Sequence, residues 1–346
     1  MSRPRNAPLT TNRRNTSRVA DFERSLMDRS TMHAFFQEHL PSMYPDYRGV
    51  AGVAASHQPA LSTTSFLMHY HVDIMRPDGS IERKSIRGNF VDSATYRIMQ
   101  AVYRHRKPTY ASMRPLLYDV RHRYEFYEEV PGTSLRNVPF RSTRFARLVV
   151  PIARALADLH KVPTTGLREL SWNKEVASIK LNVARITREL PAYRRTITAC
   201  TSTLMRTERR SWHANRAIVH NDFQASNVII DGTRVGLIDF TLSAVGNAAI
   251  DIGTFLSHLA VMLHGVLPST RIVRLRRTFL DAYLSRATPT RRAALRTSIA
   301  VFELRSCIDI LAITLINLGP KDRNRNMYSA LLRRRIETLT GGLART

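Results

Sequence analysis

Apolar residues in the second half of the chain form two short runs that predict a β-hairpin. The runs, at residues 228–230 and 235–238, each have the length of a short buried strand. Asp231-Gly232 between them is a strong signal for a tight turn, so the runs pair as antiparallel strands. Asn227 directly precedes the first run and Asp239 directly follows the second. The pairing therefore brings these two side chains to neighbouring strand ends.

Similar patterns run through the rest of the chain. An alternation of polar and apolar residues at 65–75, a turn at 77–80 and a returning strand at 81–87 predict a second hairpin. Helical periodicity is found over residues 93–103, 148–160, 176–190, 193–205, 254–264, 270–285, 290–316 and 327–340. The pattern predicts an α+β chain whose C-terminal part is mostly helical.

The polar residues around the first hairpin have the chemistry of a magnesium nucleotide site. Mg²⁺ takes hard oxygen ligands, usually one or two from protein and the rest from phosphates and water. Asn227 and Asp239 can supply the protein ligands. Asp222 precedes them in the chain, where a carboxylate can orient a substrate hydroxyl and accept its proton during phosphoryl transfer. We therefore expect Asp222 to be the catalytic base.

Three motifs in this order, H-N-D-F-Q-A-S-N, L-I-D-F and G-N-A-A-I-D-I-G, resemble the aminoglycoside phosphotransferase and choline kinase superfamily. The resemblance implies that Asp222 is the catalytic aspartate and that Asn227 and Asp239 are the metal ligands. It also implies that His220 braces the catalytic loop and that Asp251 is a structural carboxylate holding this loop from the following helix. ATP and Mg²⁺ are the implied cofactors.

The same resemblance implies a protein-kinase-like bilobal fold. We expect a small β-rich N-lobe over residues 21–128 and a larger, mostly helical C-lobe over residues 129–346. The first 20 residues are rich in Arg, Asn, Thr and Ser and predict a disordered basic tail. Residues 167–216 are too long for a simple connection and predict a helical insertion in the C-lobe.

The segment 124–135 ends in a Pro-Gly breaker and resembles the interlobe hinge of this superfamily. Backbone groups of Glu128, Glu129 and Val130 are therefore expected to face adenine. The chain has no G-x-G-x-x-G motif, so the hydroxyls and backbone of residues 61–64 are expected to cover the phosphates instead.

The basic residue that holds phosphate in such lobes should end the returning strand. Residues 84–87, Lys-Ser-Ile-Arg, place Arg87 at the lysine position of the V-x-I-K pattern, and Lys84, on the opposite strand face, is the alternative. The family usually places a glutamate in the next helix to pair with this residue, but residues 93–103 contain no acid. This leaves open weak activity, a different nucleotide posture, or an acid contributed from elsewhere.

Composition is consistent with a single bilobal enzyme. The 346 residues, 43% of them hydrophobic, suffice for two cores. Cys200 and Cys307 form no disulfide framework or zinc pattern and are expected to be small buried apolar residues. The longest apolar stretch, residues 308–318, is too short to span a bilayer and contains Asp309. A cytoplasmic protein is expected.

The chain is strongly basic, with 53 Lys and Arg against 27 Asp and Glu and a net charge of +26. Of the basic residues 47 are arginine, and their even spread argues against a specific nucleic-acid footprint. The charge favours a neutral or anionic acceptor over a polycation. Family helices that line the acceptor site correspond here to the region of Glu303 and Asp309. The alternative is that Glu303 is a surface acid paired with Arg305 and that Asp309 is a buried polar group of the helix.

These inferences together predict a kinase that transfers the γ-phosphate of ATP to a hydroxyl group of a small molecule. Two alternatives remain open. One is a pseudokinase or nucleotide-binding regulatory module, because the N-lobe ion pair is altered. The other is a protein kinase, although the chain lacks an A-P-E segment and residues 241–247 are too short for a peptide-binding activation segment.

Overall fold

The computed structural model describes residues 13–59 and 66–344. Within these ranges the chain divides into two compact units: an N-terminal unit of residues 13–59, 66–104 and 112–130, and a C-terminal unit of residues 105–111 and 131–344. The segment 105–111 thus belongs to the C-terminal unit, although it lies inside the predicted N-lobe. Residues 1–12 of the predicted tail and the predicted phosphate loop at 61–64 lie outside the described residues.

The described helices and strands alternate in the first part of the chain, and helices dominate after residue 248. The first part contains α1 (Arg13–Met27), α2 (Arg29–Met43), β1 (Gly49–Pro59), β2 (Phe66–Met75), β3 (Ile81–Phe90), α3 (Ser93–Arg104), β4 (Tyr110–Ser112), β5 (Arg114–Asp119), β6 (Tyr124–Glu128) and β7 (Thr133–Ser134). The remainder contains α4 (Thr143–Leu159), α5 (Trp172–Glu189), α6 (Arg194–Ser211), β8 (Arg216–Val219), β9 (Val228–Asp231), β10 (Arg234–Leu237), β11 (Ala244–Asn247), α7 (Ala249–Leu263), α8 (Ser269–Leu284), α9 (Pro289–Asn317) and α10 (Arg323–Leu343).

The N-terminal unit is built on an antiparallel sheet with strand order β1-β2-β3-β6-β5. Burial on β2 has a period of two: Met68, Tyr70 and Val72 are buried and alternate with less buried residues. These side chains pack with Phe36 of α2 and Phe126 of β6 in one core. The predicted hairpin of β2 and β3 is confirmed, whereas α2 and β1 were not predicted.

The C-terminal unit contains the predicted hairpin and helices. Strands β9 and β10 pair antiparallel with Gly236 opposite Ile229, as expected from the turn between them. Helices α5 and α6 form the predicted insertion and share a core with α9 and α10. Helix α9 is buried on all sides from residue 301 to 315, which is typical of a central helix. Cys200 and Cys307 are both buried and form no disulfide.

Among the described residues, no helix has the length and apolar character needed to cross a bilayer.

A glycine sets the distance between α7 and α9. A Cβ atom added to Gly253 would lie 2.5 Å from the carbonyl carbon of Phe302 and 2.5 Å from the backbone nitrogen of Glu303. Atoms at that distance overlap, and both neighbours are backbone atoms of a buried helix. The two helices can therefore pack this closely only because residue 253 has no side chain.

We predict that Gly253→Ala forces α7 and α9 apart and lowers the free energy of unfolding by about 1–3 kcal/mol. The matched control is Gly341→Ala in α10, where a Cβ meets no atom within 4 Å. The control should be neutral or slightly stabilising, because alanine favours helix over glycine. Thermal unfolding of both variants checks the prediction, and equal midpoints would contradict it.

Candidate active site

The loop that carries Asp222 follows β8 and is held by a buried carboxylate. Asp251, in the first turn of α7, is 0% exposed. Its Oδ2 accepts the backbone N–H of His220 at 2.7 Å, and its Oδ1 accepts that of Asn221 at 2.8 Å. Asn221 has a left-handed backbone (φ 61°), which asparagine tolerates better than most residues. Asp251 therefore fixes the two residues immediately before Asp222.

Asp251 also contacts a side chain from another helix. Its Oδ2 lies 2.9 Å from Nε2 of His160, which follows α4, and Nδ1 of that ring lies 2.7 Å from the Tyr283 hydroxyl in α8. Burial raises the pKa of Tyr283, so its hydroxyl stays protonated and can donate to Nδ1 while Nε2 donates to Asp251. In the sequence His160 marks only the end of an apolar helix. Nothing local indicates its contact with a residue so distant in the chain.

His220 joins the loop to the segment that leads to Asp239. Its Nε2 lies 2.8 Å from the backbone oxygen of Ile238 and donates to it, since a carbonyl oxygen only accepts. The ring is fully buried, and its centroid lies 5.0 Å from that of Phe240. These contacts are of the kind expected from a residue that braces the loop.

Asp222 and Asn227 are in direct contact. Nδ2 of Asn227 donates to the backbone oxygen of Asp222 at 2.9 Å and to its Oδ2 at 3.1 Å. Nε2 of Gln224 lies 3.1 and 3.2 Å from the two carboxylate oxygens of Asp222. Both amides come from the same short segment, so the orientation of the carboxylate is set locally. Gln224 was not predicted as a site residue, although it belongs to the quoted motif.

The pairing of β9 and β10 continues beyond the strands and brings the residue before Asp239 against Asn227. The backbone N–H of Ile238 donates to the backbone oxygen of Asn227 at 3.2 Å. Asp239 itself adopts a left-handed backbone (φ 62°, ψ 68°), and its Oδ1 accepts the Thr241 hydroxyl at 2.5 Å. A non-glycine residue held in this conformation is often part of a functional site.

The side chains available here fit a magnesium nucleotide better than a free metal ion. Asn227 and Asp239 offer hard oxygen atoms, as Mg²⁺ requires. Over residues 13–59 and 66–344, no group of three or more His, Cys, Asp or Glu side chains is arranged to hold a metal ion. A metal at this position would need further oxygen ligands, and nucleotide phosphates can supply them.

A small pocket lies beside Asp222 in the C-terminal unit. It is lined by Thr254 and His258 of α7 and by Ser306, Asp309, Ile310 and Ile313 of α9. Asp309 is 5% exposed, and its Oδ1 accepts Nδ2 of Asn182 from α5 at 2.8 Å. The structure therefore brings one of the two predicted acceptor residues, Asp309, to the same pocket as Asp222.

Glu303, the other predicted acceptor residue, does not line this pocket. Its carboxylate is 4% exposed and lies 2.7 Å from Arg276 of α8 and 2.7 Å from Arg335 of α10. The alternative interpretation of Glu303, a surface acid paired with Arg305, does not match its burial or its partners. Arg305 is buried and lies 2.5 Å from Glu175 of α5 instead.

In the N-terminal unit the two predicted phosphate-binding candidates, Arg87 and Lys84, lie on opposite faces of β3. Arg87 Nη2 donates to Glu129 Oε1 at 2.6 Å. Burial tends to raise the pKa of Glu129, but hydrogen bonds from Arg87 and Ser85 outweigh it and hold the pKa below its usual value. The acid that the sequence of α3 lacks is thus supplied to Arg87 by the segment after β6.

Lys84 and Glu128 belong to a second cluster. Lys84 Nζ lies 2.5 Å from Glu82 Oε1 and 3.9 Å from Glu128 Oε1, with the ring of Tyr44 5.4 Å away. Glu128 also accepts the Tyr44 hydroxyl at 2.8 Å and Arg114 Nη1 at 3.2 Å. This cluster joins β3 to α2 and β5, so the side chains of Lys84 and Glu128 have structural partners.

Comparison with known proteins identifies the family. A sequence profile described as phosphotransferase enzyme family matches residues 93–295. No curated protein matches the chain. Many solved structures do match. One is an ethanolamine kinase from Plasmodium vivax, with 14% identity and a TM-score of 0.54; the match covers 94% of this chain and 93% of the kinase.

Two further structures show the same fold. One is a thermostable mutant of aminoglycoside phosphotransferase APH(4)-Ia in complex with AMP-PNP and hygromycin B, with 15% identity, a TM-score of 0.55 and coverage of 90% and 99%. The other is the amicoumacin kinase hAmiN in complex with AMP-PNP, Ca²⁺ and Ami, with 13% identity, a TM-score of 0.55 and coverage of 82% of this chain and 88% of that chain. The predicted protein-kinase-like α+β fold is confirmed, and the chain belongs to the phosphotransferase enzyme family, in agreement with the resemblance found in its sequence.

Proposed function

We propose that the protein is an ATP-dependent kinase that phosphorylates a hydroxyl group of a small molecule. The observation that carries the proposal is the contact of Asp222 with Asn227, at 3.1 Å, on a loop that Asp251 holds by two backbone hydrogen bonds. A phosphoryl-transfer site needs positioned charge more than covalent chemistry, and these contacts provide the positioning. The nucleotide complexes of the similar structures support ATP as the donor.

Separate residues are assigned to the phosphates, to adenine and to Mg²⁺. In the N-terminal unit, Arg87 binds phosphate oxygens and the backbone at 128–130 binds adenine. In the C-terminal unit, Asn227 and Asp239 hold Mg²⁺. When bound, Mg²⁺ neutralises the negative charge that the phosphates carry and develop during transfer.

Asp222 acts on the acceptor. Its carboxylate orients the acceptor hydroxyl and takes the proton as the hydroxyl oxygen bonds to the γ-phosphorus. The bond between the γ-phosphorus and the oxygen that bridges it to ADP breaks in the same step, so ADP and the phosphorylated acceptor are the products. Gln224 and Asn227 keep the carboxylate in one orientation throughout.

We infer from the residues that line the pocket beside Asp222 that the acceptor carries an amino group as well as a hydroxyl. Two carboxylates, of Asp222 and Asp309, contribute to it, together with hydroxyls and the apolar Ile310 and Ile313. Oδ2 of Asp309 lies 4.0 Å from Nε of the buried Arg305, so the charge of Asp309 is partly compensated. Carboxylates a few ångströms from a bound cation outweigh the charge spread over the whole surface. We therefore replace the neutral or anionic acceptor expected from net charge with a small amino alcohol or amino sugar.

A nucleotide-consumption assay with Mg-ATP tests the proposal. Purified protein should consume ATP in the presence of some members of a panel of amino alcohols, amino sugars, neutral sugars and nucleosides. Stabilisation by Mg-ATP without consumption across the panel would instead support a nucleotide-binding module without turnover.

Asp222→Asn should lower kcat by roughly 10²–10⁴-fold, because an amide cannot accept the hydroxyl proton. Binding of Mg-ATP should change little, since Asp222 is assigned to the acceptor. Steady-state kinetics and calorimetry measure the two quantities. The matched control is Asp231→Asn, an exposed residue at the end of β9. Full activity of Asp222→Asn would rule out the proposed base.

Asp239→Asn, unlike Asp222→Asn, should weaken the binding of Mg-ATP. It removes a charged metal ligand, so ATP binding should lose its dependence on Mg²⁺ and turnover should fall with it. Titration of ATP with and without Mg²⁺ measures the effect. A variant that still gains affinity on addition of Mg²⁺, as the wild type does, would place the metal elsewhere.

Asp309→Asn should raise the KM of an amine-bearing acceptor roughly ten- to a hundredfold, because it removes the negative charge that strengthens a hydrogen bond to an ammonium group. The KM of ATP should stay unchanged. A neutral acceptor of the same size, if it is a substrate, should be affected far less. Asp281→Asn, an exposed acid in α8, is the control. An equal rise for charged and neutral acceptors would show that Asp309 acts only through packing.

A further inference from the structure

The residue that takes the phosphate-binding position, Arg87, is paired with an acid in an unexpected place. Helix α3 contains no Asp or Glu, yet Arg87 Nη2 lies 2.6 Å from Glu129 Oε1, just after β6. We propose that Glu129 is the positioning residue that orients Arg87 for phosphate binding, in place of a helix glutamate. This inference rests on the proposed function, because it assigns Arg87 to the phosphates of ATP.

Strand pairing places Glu129 beside Arg87. In the β3–β6 ladder, Arg87 is opposite Tyr127, and the backbone N–H of Glu129 donates to the backbone oxygen of Ser85 at 3.1 Å. Successive side chains alternate between faces, so residues 85, 87, 127 and 129 share one face of the sheet. The acid and the guanidinium are therefore held together by main-chain geometry.

The carboxylate of Glu129 is oriented by a second set of contacts. Its Oε2 accepts the Ser85 hydroxyl at 2.7 Å, while its Oε1 accepts Arg87. Nε2 of His69, on the neighbouring strand β2, lies 2.7 Å from the Ser85 hydroxyl oxygen and 3.6 Å from Glu129 Oε2. Both carboxylate oxygens of Glu129 thus accept hydrogen bonds, and the contact with Ser85 orients the carboxylate independently of Arg87.

A single carboxylate contact is enough to orient an arginine side chain. The guanidinium is planar and its donors are rigidly connected, so a contact at Nη2 fixes the plane of the whole group. The Arg87 side chain is 16% exposed and that of Glu129 is 37% exposed, so solvent screens the pair in part. Because the pair lies within one sheet, its geometry does not depend on the position of α3.

The test compares Mg-ATP binding by three variants, Arg87→Ala, Glu129→Gln and the double variant, using calorimetry. Glu129→Gln removes the charge but keeps the size of the side chain, and should raise the Kd of Mg-ATP about tenfold. If Glu129 acts through Arg87, the double variant should bind no more weakly than Arg87→Ala alone. Adenosine, which has no phosphate, should bind all variants equally, and Glu129→Asp should recover part of the affinity.

The control is Asp73→Asn, which breaks a comparable cross-strand pair on the same sheet. Asp73 of β2 accepts Arg83 of β3 at 2.7 and 2.9 Å. This variant should bind Mg-ATP as the wild type does. Unfolding midpoints without nucleotide should agree within a few degrees for Glu129→Gln and the control, which excludes a general loss of structure.

Three outcomes would overturn the inference: wild-type affinity in Glu129→Gln, additive losses in the double variant, or an equal loss of adenosine binding. Failure of the proposed function has a different signature. A wild-type protein that binds Mg-ATP but phosphorylates no acceptor would contradict the kinase while leaving this binding test intact. A wild-type protein that does not bind Mg-ATP would contradict both.

Discussion

Asp251 accepts the backbone N–H groups of His220 and Asn221, lies 2.9 Å from His160, and has no exposure to solvent. Burying a carboxylate costs several kcal/mol unless hydrogen bonds satisfy its oxygens. These donors are therefore what allows the Asp251 carboxylate to be buried. Its place in the first turn of α7 also lowers the cost, because the positive end of the helix dipole lies there. Asp251 therefore fixes the backbone that leads directly into Asp222.

The same helix connects the loop to the pocket. Gly253 lies two residues after Asp251 and allows α9 to approach α7 at backbone contact. Helix α9 carries Asp309, and α5 fixes Asp309 through Asn182. Helix α7 thus positions both residues. It holds the loop of Asp222 through the Asp251 carboxylate, and it positions Asp309 through its close packing against α9. A change in the spacing of α7 and α9 would alter the pocket without touching either residue.

The sequence predicted those parts of the site that depend on neighbours in the chain. Asn227 and Asp239 flank a hairpin whose turn and strands lie in one short segment, so their proximity could be inferred from turn chemistry and strand pairing. The partner of Arg87 could not be inferred, because identifying it required the register of β3 against β6. A shift of that register by one residue would turn Glu129 to the other face of the sheet, where its neighbour Glu128 has unrelated partners.

Part of the large positive charge is paired with acids inside the protein. Several arginines are used inside the C-terminal unit, where Arg286 binds the buried Asp158 and Arg276 binds Glu303. Charges separated by more than about 10 Å are largely screened at ordinary ionic strength, whereas a bound ligand contacts its pocket at a few ångströms. The excess of arginine therefore constrains solubility and encounter rates more than it constrains the acceptor. The proposed acceptor therefore rests on the two carboxylates that line the pocket beside Asp222.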